Sequence, residues 1–219
     1  MIMYAQTQPN WDGTNMPLPS MPRLVTRDIN EVHHHMSQMF CPHDLRLEGG
    51  NPPIDFRHHQ ASLKSVTFNA TDYGNPYGRV VVNIPPMDAI YLVQFSLCGT
   101  AQITQEKSTI ELKPGHLCVL DPDAQVRQVF GDGYKHFTVK VSKSGLEAVL
   151  AQELGFRPGE LHFSSRPVPL EGPAAALAQL VRTICDDLNN GSSAFRHTRA
   201  VDAVEQALQR LLLAAVPHN

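Results

Sequence analysis

A run of closely spaced strand signals at residues 88–122 constrains this fold more than any other part of the sequence. Between Tyr91 and Leu97 every second residue is large and apolar, which is the period of a strand with one buried face. Gly99 and the segment 113–115 separate further short strand signals. Antiparallel strands this close together, with glycine and proline at their corners, are typical of a sandwich, a jelly roll or a barrel.

The strand pattern extends to both sides of this run. Strand signals at 56–69 and 79–84 precede it, and a hairpin at 125–141 turns at Asp132-Gly133, which is a strong hairpin signal. No helical period interrupts these segments, so about eight or nine strands are expected in roughly 100 residues. We therefore predict an α+β protein that is mainly β.

The chain divides into three predicted segments. Residues 1–24 carry four prolines with little periodicity and are expected to form a loose arm. Residues 25–165 are expected to form the barrel domain, with a helix that starts at Asp28 and has one apolar face formed by Val32, Met36, Met39 and Phe40. Residues 170–219 are predicted to be a helical region for dimerisation and linkage.

Two longer amphipathic helices are predicted in this last segment, one beginning at Pro173 and one over residues 193–215. Both must bury an apolar stripe, either on the chain's own barrel and on each other or on a second copy of the chain. We predict that the first helix contributes to a homodimer, so that a charge at Leu180 or Ile184 weakens association while the barrel stays folded. The predicted dimerisation residues are Leu177, Leu180, Val181, Ile184 and Leu188.

Composition and charge limit the partners and the location of the protein. The chain has 219 residues, a net charge of -3 and no basic stripe, which argues against DNA contact by these residues. Its four cysteines form no Cys-x-x-Cys pair, as expected for free thiols in a reducing cytosol. The sequence contains neither an apolar run long enough for a membrane helix nor a signal-peptide pattern. We therefore expect a soluble, cytoplasmic protein with no membrane partner.

Eleven histidines in a β-rich chain raise the alternative of a small cupin-type metal-dependent enzyme. Such a site needs histidines and a glutamate at inward positions of neighbouring strands. His58 and His59 are adjacent, so they must point to opposite faces, and no glutamate follows them closely. His116 and His136 stand alone on separate strands, and there is no nucleophile elbow or phosphate loop. We predict no catalytic residue, no metal and no cofactor.

A barrel without catalytic groups can still enclose a small ligand. Polar and aromatic side chains on its apolar strands are the candidate contacts, although each is also compatible with a surface position or a satisfied buried group. A barrel filled by its own side chains is a further alternative. The guanidinium of Arg57 suits a carboxylate. The candidate ligand contacts are Arg57, His59, Tyr91, Val93, Gln94, Phe95 and His136.

The order of these parts resembles a known family. The segments that carry the resemblance are CPHDLRLEGG at 41–50, RHH at 57–59, DAIYLVQFSLCGTAQIT at 88–104, ELKPGHLCVLDPD at 111–123 and YKHFTVKVSKSGLEAVL at 134–150. Together they resemble the effector-binding, cupin-like N-terminal domain of the AraC/XylS family of bacterial transcription activators. The similarity is greatest to the branch that senses benzoate-type aromatic acids, and it covers roughly residues 25–215.

This resemblance implies a cupin-like jelly-roll β-barrel with an N-terminal helix and an antiparallel pair of C-terminal helices that dimerises. It implies that DNA is bound only through a helix-turn-helix domain that this chain does not contain. It also places Arg57 and His59 in a segment that influences the effector response. We therefore predict the regulatory domain of a transcription regulator, which binds a small organic effector such as an aromatic carboxylate.

Overall fold

The computed structural model describes residues 16–49, 54–74, 78–191, 195 and 197–219, and the arm at 1–15 lies outside these ranges. The strands are β1 Pro22–Thr26, β2 Asp44–Glu48, β3 Phe56–Ser62, β4 Thr67–Asp72, β5 Arg79–Ile84, β6 Ile90–Cys98, β7 Ala101–Gln105, β8 Ser108–Leu112, β9 His116–Leu120, β10 Val126–Phe130, β11 Lys135–Ser142 and β12 Val168–Pro169. The helices are α1 Ile29–Met39, α2 Lys143–Leu154, α3 Gly172–Asn189 and α4 Thr198–Ala215.

The strands form two antiparallel sheets. The seven-stranded sheet has the order β1-β3-β4-β11-β6-β9-β12, and the five-stranded sheet has the order β2-β5-β10-β7-β8. Within each sheet, every pair of neighbouring strands in the described part of the chain is antiparallel. The prediction of a mainly β, α+β protein is confirmed, and the two sheets are consistent with a cupin-like fold.

Two apolar cores lie on opposite faces of the seven-stranded sheet. The inner core lies between the sheets and combines residues such as Phe56, Ile103 and Phe130 with Met36 of α1. The outer core covers the other face of the same sheet with the helices α2, α3 and α4. Because side chains alternate along a strand, β6 sends one set of residues into each core and is buried on both faces.

The apolar stripe of α3 packs on the chain's own sheet. Leu177, Val181 and Ile184 are at most 1% exposed and belong to the outer core together with Phe95 and Val139. These three side chains are thus buried within the chain itself, because the outer face of the sheet is apolar and needs this cover. A dimer contact at this stripe stays a prediction. The other two predicted contacts, at positions 180 and 188, are only partly buried at the edge of the same core.

The end of the predicted loose arm is ordered by the sheet. Residues Pro22–Thr26 form β1, which pairs with β3 at the edge of the seven-stranded sheet, and Leu18 is buried in the outer core. Proline is tolerated at the first position of an edge strand because no ladder hydrogen bond needs its missing N–H. The structure thus differs from the expectation of a loose arm at residues 16–24. Within the described residues, no helix is long and apolar enough to cross a membrane.

Helix ends follow the local sequence signals. The Asp28 carboxylate accepts a hydrogen bond from the Asn30 N–H at 2.8 Å and begins α1. Gly155 ends α2 in the left-handed conformation, with φ of 74°. The buried Val32 and Met36 of α1 place this helix over the inner core.

Candidate functional site

A cavity of about 50 Å³ lies between the two sheets, beneath α1. Strands of both sheets contribute its walls, and the end of α1 with the segment after it closes one side. The lining residues are Met36, Phe40, Cys41, His43, Tyr73, Val82, Ile84, Leu92, Gln94, Gln128, Phe130, His136 and Thr138. Since one water molecule needs about 10–15 Å³, the cavity has room for a few waters that a ligand would displace.

One side of the cavity is a cluster of stacked rings. The ring centroids of Tyr73 and Phe130 are 5.4 Å apart, and those of Phe130 and His136 are 5.1 Å apart. Tyr134 stands behind them, with its ring centroid 5.4 Å from that of His136 and stacked on it. These separations are typical of favourable aromatic pairs. The cluster therefore presents flat, polarisable surface to whatever occupies the cavity.

Polar groups of the same wall are buried without partners. Gln128 is 3% exposed and His136 5% exposed, and neither Gln128 Oε1 nor His136 Nδ1 has a hydrogen-bond partner among the described residues. Gln94 Nε2, in contrast, donates to the Tyr134 hydroxyl at 3.1 Å. A buried polar atom without a partner costs about 1–3 kcal/mol. Two such atoms on one cavity wall need a partner that the surrounding side chains do not supply, such as water or a bound ligand.

The interior of the cavity is uncharged at neutral pH. Burial lowers the pKa of His136 to about 3, so its imidazole is neutral. Burial also raises the pKa of Tyr73 above its ordinary value, so its hydroxyl stays protonated. The cavity wall contains no lysine, arginine, aspartate or glutamate among the residues that the structure describes.

α1 is attached to the seven-stranded sheet through two polar contacts beside the cavity. His35 Nε2 lies 2.8 Å from Nδ1 of the fully buried His58, and Lys140 Nζ donates to the Met39 carbonyl at 3.0 Å. Burial, followed by the neighbouring His35, lowers the pKa of His58 to about 3. The two contacts join the cover of the cavity to β3 and β11 of the seven-stranded sheet.

Comparison with known proteins assigns the family. The sequence profile described as "AraC-binding-like domain" matches residues 32–213, which is most of the chain. The chain belongs to this family. Its fold is also similar to that of the crystal structure of the AraC-like transcriptional activator CuxR, with a TM-score of 0.67 at 15% identity over 89% of this chain and 71% of that one.

Two curated relatives come from Pseudomonas putida. The "XylDLEGF operon transcriptional activator 1" and the "XylDLEGF operon transcriptional activator" are each 24% identical to this chain over 178 residues. The alignments cover 80% of this chain and 51% of each relative, so the chain spans about half the length of these relatives. Both names describe transcription activation by those proteins.

The structure separates the predicted site residues of this AraC-binding-like domain. Of the candidate ligand contacts, His136 and Gln94 line the cavity. Tyr91, Val93 and Phe95 instead belong to the outer core under the helices, so the structure does not place them on the cavity wall. The alternation along β6 was assigned correctly, but the set that begins at Tyr91 faces the helices, whereas Leu92 and Gln94 face the cavity.

The remaining two candidates, Arg57 and His59, lie outside the cavity. Arg57 is exposed, and its Nη2 atom is 2.6 Å from Asp55 Oδ2. His59 faces the outer side of β3, where its Nδ1 atom lies 3.3 Å from the Pro17 carbonyl oxygen. Strand alternation therefore sends the neighbouring His58 inward, toward the cavity side of the sheet.

Several cavity residues escaped the sequence reasoning. Gln128 lies on the same face of β10 as Val126 and Phe130. A single polar residue among the apolar residues of one strand face was the sequence pattern that could have identified it. Tyr73 follows the end of β4, where no periodicity marked it. Met36 and Phe40 were recognised as the apolar face of a helix, but the sequence did not indicate what that face covers.

A second, open groove of about 570 Å³ lies beside the β7–β8 turn. It adjoins Asp121, Asp123 and His162, whose ligand atoms lie within 4.8 Å of one another. Both carboxylates already have partners, because His162 Nδ1 is 3.0 Å from Asp121 Oδ2 and Lys143 Nζ is 2.6 Å from Asp123 Oδ2. This is the one such cluster in the described part of the chain, so the histidines of the barrel interior do not form a comparable metal site.

Proposed function

We propose that this AraC-binding-like domain is the effector-sensing part of a transcription regulator, and that a small aromatic molecule binds in the cavity beneath α1. The observation that carries this proposal is the pair of unpartnered atoms, Gln128 Oε1 and His136 Nδ1, set beside a wall of stacked rings. The rings match the body of an aromatic ligand, and the unpartnered atoms match its polar group. DNA contact belongs to a separate domain, in keeping with the net charge of -3.

The size of the cavity makes ligand binding and movement of α1 one event. An apolar cavity of about 150 Å³ accommodates benzene, whereas this one holds about 50 Å³. An aromatic ligand therefore binds a state in which Met36 and Phe40 of α1 have shifted outward. Because the closed state excludes the ligand, the ligand has the difference in affinity between two states that any sensor requires.

Aromatic carboxylates remain candidate effectors, but Arg57 is not their partner in the proposed site. Its guanidinium is paired with Asp55 on the outer surface. An aromatic acid in the cavity meets Gln128, His136 and Thr138 instead, all of which are uncharged at neutral pH.

A thermal-shift screen of the full chain tests the proposed site. We expect benzoate- or salicylate-type compounds to stabilise the protein, with fatty acids as the contrast set. A ligand at 100 times its dissociation constant adds about 2.7 kcal/mol to the free energy of unfolding. Each kcal/mol raises the melting temperature of a chain of this length by about 2–4 °C. Gln128→Leu is expected to abolish the shift without unfolding the protein, because it removes an atom that has no partner.

Arg57→Ala is the matched control for this screen, because Arg57 is a polar strand residue outside the cavity. It is expected to keep the full ligand-induced shift. A shift lost in Arg57→Ala and kept in Gln128→Leu would move the site to the outer surface. No shift with any aromatic compound would support a barrel filled by its own side chains.

We also propose homodimerisation, on the parts of α3 that remain at the surface. Leu180 is only partly buried at the edge of the outer core, and it offers apolar surface beside the exposed face of the helix. Leu180→Asp is expected to weaken self-association at least tenfold in sedimentation equilibrium while the circular dichroism spectrum stays unchanged. An unchanged association constant would place the contact on another surface.

A further inference from the structure

The cavity offers no fixed charge to a charged ligand. Its ionisable lining residues are Cys41, His43, Tyr73 and His136. Burial raises the pKa of Cys41 and lowers the pKa of His43, so both are held in their neutral forms, as are Tyr73 and His136. This wall can therefore form hydrogen bonds to a neutral ligand directly. A charged carboxylate needs an additional proton, on itself or on the wall, before both partners match.

His136 is surrounded by neutral groups on every element that packs against it. Thr71 of β4 and Ser96 of β6 are its neighbours across the sheet. The rings of Tyr73, Phe130 and Tyr134 stack around it, and the neutral His58 stands nearby on β3. No carboxylate among the described residues is positioned to hold a proton on this imidazole in the empty cavity.

The Lys140 ammonium group lies beside the cavity but is not part of its wall. Lys140 lies on the same face of β11 as His136, and its ammonium donates to the Met39 carbonyl at the end of α1. It is close enough to Cys41 to act on that thiol's pKa. Lys140 is therefore an alternative partner for a carboxylate beside the cavity.

We propose that the cavity binds its aromatic effector without gaining net charge, so that a neutral aromatic ligand binds alone and an aromatic acid binds together with one proton. This inference rests on the proposed function. A carboxylate transferred from water into a neutral cavity without a charged partner is strongly disfavoured. One proton removes that penalty, either on the acid itself or on His136, which then forms a charge-assisted hydrogen bond with the carboxylate.

The proton balance gives a measurable signature. Free benzoate and the empty protein are both deprotonated near pH 7, and their complex holds one additional proton taken from solvent. The apparent affinity for benzoate therefore falls about tenfold for each unit of rising pH. Benzamide, which has a similar shape and no charge, takes up no proton and binds with an affinity that does not depend on pH.

Titration calorimetry of the full chain with benzoate and benzamide at pH 6.5 and 7.5 tests the inference. Dissociation constants are preferable to melting temperatures because the protein's own stability depends on pH. Folding lowers the pKa of His58 and of His136 from 6.5 to about 3. Their contribution to the free energy of unfolding is therefore fully present above pH 6.5 and is lost as the pH falls toward 3.

We expect benzoate to bind about tenfold more weakly at pH 7.5 than at pH 6.5. Buffers with different ionisation enthalpies are expected to report an uptake of one proton per benzoate and none per benzamide. Gln128→Leu should weaken both ligands, whereas Gln102→Leu, at an exposed position of the neighbouring strand β7, should weaken neither. Lys140→Met should leave the pH dependence of benzoate binding unchanged.

Benzoate binding that is independent of pH, without proton uptake, overturns the inference and leaves the aromatic-ligand site intact. Loss of that binding in Lys140→Met would then identify the ammonium as the partner. If neither benzoate nor benzamide binds, the proposed aromatic ligand class fails, and the inference fails with it.

Discussion

Replacing Ile184 with aspartate is expected to unfold the chain and not merely to dissociate a dimer. Ile184 is 0% exposed in the outer core, where α3 and α4 cover the seven-stranded sheet. The substitution removes a buried apolar side chain and introduces a carboxylate without a partner. Such a change costs more than about 4 kcal/mol, which is a large part of the roughly 5–15 kcal/mol that stabilises a typical domain.

Thr183→Asp is the matched control, because it adds the same charge one position earlier on the exposed face of α3. It is expected to change the free energy of unfolding by less than about 1 kcal/mol. Urea denaturation followed by circular dichroism distinguishes the two variants. If Ile184→Asp folds with normal stability and self-associates less, the apolar stripe of α3 forms the dimer interface after all.

Glu205→Ala is expected to lower the free energy of unfolding by about 3 kcal/mol. Glu205 of α4 is 6% exposed, and its Oε1 atom accepts hydrogen bonds from the N–H groups of Ser65 and Val66 at 2.7 and 3.0 Å. Its Oε2 atom accepts from the Ser65 hydroxyl at 2.5 Å. Alanine leaves these donors without their acceptor, and hydrogen bonds to a charged group are worth about 1.5–3 kcal/mol each.

Two further variants separate this effect from surface charge. Glu205→Gln keeps one acceptor oxygen and is expected to cost less than half as much as alanine. Asp202→Ala, on the same helix, breaks only the exposed ion pair with Lys64 and is expected to cost less than about 1 kcal/mol. If the free energy of unfolding of Glu205→Ala, measured in urea, is within about 0.5 kcal/mol of the parent value, the carboxylate does not stabilise the turn.

The place of Glu205 also bears on signalling within the domain. The turn that it holds joins β3 and β4, and these strands carry His58 and Thr71 on their inward side beneath the cavity cover. Glu205 therefore fastens α4 to the hairpin beside the proposed ligand site. Under the proposed function, an outward shift of α1 would break the contact of His35 with His58 on the same hairpin.

Local features of the fold were accessible from the sequence because they depend on neighbouring residues. The alternation from Tyr91 to Leu97 predicted a strand with two distinct faces. The hairpin predicted at Asp132-Gly133 was wrong: a turn forms there, but β10 pairs with β5 and β7 of one sheet, whereas β11 pairs with β4 and β6 of the other. Asp28 marked the start of α1 through the hydrogen bond that its own side chain accepts. Family membership likewise followed from segments whose order along the chain is visible.

The partner of each face was decided by the tertiary structure alone. A period of two or of 3.6 residues shows which side chains share a face, and it is unchanged when the two faces exchange surroundings. Tyr91 and Phe95 were therefore expected in the pocket, although the helices cover them, and the stripe around Ile184 was expected at a dimer contact, although the sheet covers it. The cavity depends on contacts between α1, Gln128 and His136, which are distant in the sequence and meet only when both sheets and the helix pack.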